Sequence, residues 1–128
     1  MAGGDAFSAA QRAELDRVVR EASAWAGRPI VVYVGGLAEG RASALQLHAQ
    51  SAQPSRTVLV AVDPGRRKLE IVTGSEAAVW CDARACGLAA ATMTTSFSAG
   101  DLLGGIRNGV QLLADRAHQP ELANLQTL

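Results

Sequence analysis

Thr57 to Gly74 reads TVLVAVDPGRRKLEIVTG, and this stretch decides the fold. Thr57 to Val62 is apolar at nearly every position, as in a strand covered on both faces. Asp63-Pro64-Gly65-Arg66 is a turn: proline presets φ, and Gly65 permits a positive one. Leu69, Ile71 and Thr73 then alternate with Lys68, Glu70 and Val72, which describes a returning, half-exposed strand. This strand is antiparallel to the one before it.

Upstream, Ser8 to Gln11 is a capping box that opens a helix. Leu15, Val18, Val19, Ala22 and Ala26 form its apolar stripe, and Gly27 ends it as a C-cap residue. Pro29 to Val34 is a β-branched run bounded by Pro29 and by Gly35-Gly36, and reads as a buried strand. A second helix runs from about Arg41 to Ala52, with Leu45, His48, Ala49 and Ala52 on one side, until Gln53-Pro54 stops it. The two strands flanking it are therefore parallel, joined by a right-handed crossover.

Downstream, Gly74 closes the third strand. Asp82 caps a third helix carrying Ala85, Cys86, Ala89, Ala90, Met93 and Phe97. Gly100 interrupts it. Asp101 caps a fourth helix with Leu102, Ile106, Val110, Leu113 and Ala117 in register, and Pro120 ends it. The expected fold is α/β, a small three-layer-like domain of order α-β-α-β-β-α-α whose short mixed sheet is flanked by helices. A single domain spans residues 1–128, with an ordered core over 7–118 and a tail over 119–128.

In the fourth helix, Gly105 and Gly109 are four apart, a small-residue spacing that lets a neighbour pack closely. A phosphate loop is disfavoured, because no strand precedes and no Gly-Lys-Ser/Thr follows.

The totals exclude several classes. Twelve basic and twelve acidic residues give no net charge, which argues against nucleic acid as a partner. No apolar run approaches the roughly 20 residues of a membrane span. The opening MAGGDAFSAAQR lacks a signal-peptide pattern, so the expected location is cytoplasmic. Two cysteines are too few for a disulfide scaffold.

Residues 57–115 resemble the C-terminal half of the TPM domain. The resemblance rests on Arg67, Thr73-Gly74, Asp82, Phe97, Gly100-Asp101 and the helix from Gly105 to Val110. It is closer still to an actinobacterial TPM-like family without an assigned function. The resemblance implies a small α/β fold, and it carries associations with phosphatase activity and calcium binding. The acidic N-terminal motif of many TPM domains has only Asp5 to represent it, and SEAAVW replaces their glycine- and aromatic-rich segment.

Topology assigns candidate chemistry to two edges of the sheet. Glu39, Asp63 and Asp101 belong to the edge where the first two strands end, together with Arg66 and Arg67. Clustered carboxylates there suit Ca2+ or Mg2+, and the two arginines suit an anion. Glu76 and Asp82 fall at the opposite edge. Cys81 and Cys86 occupy the N′ and N4 positions around the Asp82 cap, which touch in a hydrophobic staple. They are either a buried apolar contact or a redox pair. His48, Trp25 and Trp80 are read as core or boundary groups, and Thr92 to Ser98 as hydroxyls bonded to their own helix. No nucleophile motif of a phosphatase is present.

The expected role is a TPM-like binding module for a divalent cation or a protein partner. The alternative is a metal-dependent phosphatase acting on small phosphomonoesters through a metal-activated water. A third expectation is a homo-oligomer built on the small-residue helix face.

Overall fold

The computed structural model describes residues 7–118. Asp5, Pro120 and the expected tail lie outside the described residues. The elements are α1 (Ala9–Ala26), β1 (Ile30–Val34), α2 (Arg41–Ala49), β2 (Val58–Asp63), β3 (Lys68–Thr73), α3 (Ala83–Ser98) and α4 (Leu102–His118). Short 3-10 turns at Pro54–Arg56 and Ala77–Val79 flank the hairpin of β2 and β3. The element order is the expected one.

The sheet order is β1-β2-β3, with β1 parallel to β2 and β3 antiparallel to it. Central β2 is buried throughout, and its alternation splits the core into two layers. Val58, Val60 and Val62 join Leu15, Ala22, Met93, Ile106 and Leu113 beneath α1, α3 and α4. Leu59 and Ala61 join Leu37, Ala44 and Val72 beneath α2. The molecule is thus α2, sheet, then three helices.

Local capping chemistry is as expected. The Ser8 hydroxyl accepts from the Gln11 amide while the Gln11 side chain accepts from the Ser8 amide, at 3.1 and 2.9 Å. Gly27 closes α1 in the left-handed region, with φ of 67°. Asp82 accepts from the Ala85 amide at 2.9 Å.

Five expectations are corrected. First, β1 is not buried: only Ile30 is, and Val31 is 40% exposed. It is an edge strand, and the short α2 does not reach across it. Second, α2 stops at Ala49 rather than Ala52, and it buries Ala44 and His48 while Leu45 is 47% exposed. The i, i+4 pair Ala44 and His48 sets the inward face, which turns Leu45 outward. Third, Val72 of β3 is buried, because α2 covers that end of the face expected to meet solvent. Fourth, Gly65 does not supply the left-handed residue of the turn; Arg67 does, with φ of 55°. Fifth, Trp25 is 52% exposed rather than at the core or its boundary, because it stacks on His118 at the end of α4.

The glycines of the final hairpin serve packing and reversal. Gly100, with φ of 86°, reverses the chain after α3. A Cβ on Gly105 would lie 2.7 Å from the Phe97 ring, and one on Gly109 would lie 2.5 Å from Met93 Cγ. The small-residue face is therefore filled by α3 of the same chain.

Candidate functional site

Asp63, the last residue of β2, is 3% exposed. Its carboxylate accepts from the Leu37 amide at 2.8 Å, the Arg66 amide at 3.1 Å and Arg66 Nη1 at 3.0 Å. The Leu37 amide is the chief reason its pKa lies below the usual carboxylate value, with Arg66 adding to the effect against the cost of burial. This carboxylate ties the loop after β1 to the turn after β2. Arg66 is thereby an intrachain ion-pair partner through Nη1, with its side chain 52% exposed.

Asp101 accepts from the Gly104 amide at 2.9 Å and caps α4. Its carboxylate occupies the space that a Gly104 side chain would need. Glu39 is exposed, and its amide donates to Ser43 Oγ at 2.8 Å. The structure does not gather Glu39, Asp63 and Asp101 into one ligand set: among the described residues, no three of His, Cys, Asp and Glu come together as a metal site requires. Asp63 and Asp101 instead each hold backbone donors of their own loop or helix end. At the opposite edge, Glu76 accepts from Ser55 Oγ at 2.8 Å, and Asp82 serves as a cap.

The expected edge does hold a pocket of about 350 Å³. It opens between the β2–β3 turn and the α3–α4 turn. Asp63, Pro64, Arg67 and Lys68 contribute from the first turn, and Gly100 and Leu102 from the second. Val62, Leu69 and Phe97 give it apolar walls, and Thr94 and Ser98 bring hydroxyls. Among the described residues, no carboxylate pairs with Arg67, whereas Arg66 is held by Asp63. The Lys68 stem passes Gly40 on the α2 side of the sheet. Arg67 and Lys68 are therefore the pocket's two lining cations without a carboxylate partner among the described residues.

Thr94, Phe97 and Ser98 were not singled out by sequence as pocket residues. A signal existed in their spacing, since i, i+3 and i+4 share one helix face. Thr95 does bond its own helix, donating to the Ala91 carbonyl at 3.0 Å. His48 is a satisfied core residue: its Nε2 lies 3.0 Å from the Thr57 carbonyl and donates to it.

The Cys81 and Cys86 sulfurs lie 3.3 Å apart. Cys81 is buried and Cys86 is partly exposed. The hydrogen bond from Cys81 holds the Cys86 thiol below its ordinary pKa, and that same bond, with burial, pushes Cys81 up.

No described helix is long and apolar enough to cross a membrane. Residues 3–114 match the family model described as Domain of unknown function (DUF5130). The match spans most of the chain, and the chain belongs to that family.

Proposed function

We propose that this member of the DUF5130 family is a binding module for a small organic anion, a carboxylate or phosphate monoester with an apolar portion. The observation that carries this is the pocket at the β2–β3 turn. It brings Arg67 and Lys68, which have no carboxylate partner among the described residues, together with Thr94 and Ser98 over Val62, Leu69 and Phe97. A mostly apolar cleft with a few convergent polar groups is the usual form of a small-molecule site. Arginine suits carboxylate and phosphate oxygens through its planar fork of donors.

We keep the TPM-like affinity as part of the proposal. Three of the positions on which it rests, Arg67, Phe97 and Gly100, line this one pocket. A divalent-cation module or a metal-dependent phosphatase would have to bring Glu39, Asp63 and Asp101 together, since no three such groups converge among the described residues. The anion needs no such rearrangement.

The test uses phenyl phosphate and a neutral aromatic alcohol of similar size, benzyl alcohol, as probes in amide-resolved NMR titrations. Phenyl phosphate is expected to shift the amides of Arg67, Ser98, Gly100 and Leu102 saturably, and benzyl alcohol to shift them less. Shifts scattered over the surface, or shifts that survive in Arg67→Ala, would overturn the proposal.

A further inference from the structure

We infer that Cys81 and Cys86 form an oxidation site that closes to an intrachain disulfide when the chain meets a peroxide. The pair lies at the start of α3, away from the pocket residues, and owes nothing to the anion proposal.

Three observations combine. The sulfurs are 3.3 Å apart, closer than the roughly 3.5–4.0 Å of an ordinary apolar carbon contact. A modest approach carries them to the roughly 2.05 Å of a disulfide bond. Their placement is fixed by backbone: Cys81 precedes the Asp82 cap, Cys86 lies one turn into α3, and the Cys86 amide donates to the Asp82 carbonyl at 3.0 Å. Their access is unequal. Cys81 is 1% exposed within the core, while Cys86 is half-buried and reachable.

That inequality assigns the roles. Cys86, whose thiolate is favoured by the hydrogen bond from Cys81, is the attacking sulfur. It attacks one peroxide oxygen, the O–O bond breaks, and the released hydroxide leaves as water after taking a proton. Cys86 is then a sulfenic acid. The Cys81 sulfur next attacks Cys86, its proton leaves with the departing hydroxide as a second water, and the S–S bond forms. Two thiols have given two electrons to one hydrogen peroxide. An external dithiol reverses the step by exchange. A metal is the weaker occupant, because zinc requires four ligands and no third His, Cys, Asp or Glu joins the pair among the described residues.

The experiment treats the full chain with stoichiometric hydrogen peroxide, then alkylates it in denaturant and weighs it intact. The expected product has lost two hydrogens and takes up no alkyl groups, and dithiothreitol restores both sites. In Cys81→Ser, Cys86 is expected to stop at a sulfenic acid that dimedone traps. In Cys86→Ser, the buried Cys81 is expected to remain alkylatable. Wild type in urea separates fold-driven closure from mere proximity in sequence, since closure is expected to be faster in the folded chain. Equal rates in buffer and urea, a covalent dimer, or over-oxidation of both sulfurs would overturn the inference. The wild-type comparison stands even if a serine variant does not fold.

Discussion

The Asp63 carboxylate and the Leu37 amide lie 2.8 Å apart across 26 residues of sequence, and both are buried. This one bond joins the exit of β1 to the exit of β2. Asp63→Ala leaves the Leu37 donor unsatisfied, and such an orphan costs about 1–3 kcal/mol. Urea unfolding is expected to show that loss, and Glu39→Ala, at an exposed side chain, is expected to show almost none.

The same carboxylate sets a pH dependence. Its folded pKa is depressed, first by the Leu37 amide and then by Arg66. The unfolded value is near 3.9, about that of a free aspartate. The stabilisation is therefore complete above that value and is lost as pH falls through the lower folded value. Unfolding free energy measured from neutral pH down to about 2 is expected to fall more steeply in wild type than in Asp63→Asn. Parallel curves would contradict this.

Glycines in the two final helices are expected to respond oppositely to alanine. A Cβ at Gly109 would press on Met93 at 2.5 Å, whereas one at Gly87 of α3 would meet nothing within 4 Å. Gly109→Ala is expected to cost about 1–3 kcal/mol through overpacking. Gly87→Ala is expected to stabilise by roughly 0.5–1 kcal/mol through helix propensity. Thermal melts of the two variants check the sign directly.

Arg67 holds a left-handed backbone that disfavours an arginine, with φ of 55°. Arg67→Gly relieves a cost of about 1–2 kcal/mol, against roughly 0.4–1 kcal/mol of added chain entropy in the unfolded state. The variant is expected to be at least as stable as wild type, yet to lose phenyl phosphate binding. A variant that keeps both would remove Arg67 from the proposal.

Calcium offers a further check. A site held at 100-fold excess over Kd adds about 2.7 kcal/mol, enough to raise the melting temperature by several degrees at this size. Because Asp101 is already a cap, millimolar calcium is expected to shift wild type no more than Asp101→Asn. A rise confined to wild type would return the carboxylates to a metal role.

Features decided within four residues were legible in the sequence. Ser8 with Gln11, Gly27, the Asp82 cap and the reversal at Gly100 each follow from a short motif, and each is in place. Features decided by layers were less so. Val31 and Leu45 carry apolar side chains that the sheet edge and the short α2 leave exposed. In the site, the Asp63-to-Leu37 bond was hidden because its partners are far apart in sequence. Arg67 was legible as a candidate anion contact, but its left-handed backbone was not, because Gly65 nearby is the residue that takes such a conformation most easily. Thr94, Phe97 and Ser98 reach the pocket only through the turn that docks α3 beside β3.

The end of α1 is bound to the end of α4. Arg28 Nη1 donates to the Ala117 carbonyl at 2.9 Å, its guanidinium lies 5.5 Å from the centre of the Trp80 ring, and Trp25 stacks on His118 at 3.9 Å. The Arg28 and Ala117 partners are 89 residues apart, so more than half of the chain is looped between them. Loop-closure entropy delays such a contact until other structure has shortened the loop. The hairpin of α3 and α4 needs only local reversal at Gly100 and forms without that delay. The clasp of Arg28 on Ala117 therefore acts on the way out of the native state rather than on the way in: weakening it is expected to speed unfolding and leave the folding rate nearly unchanged.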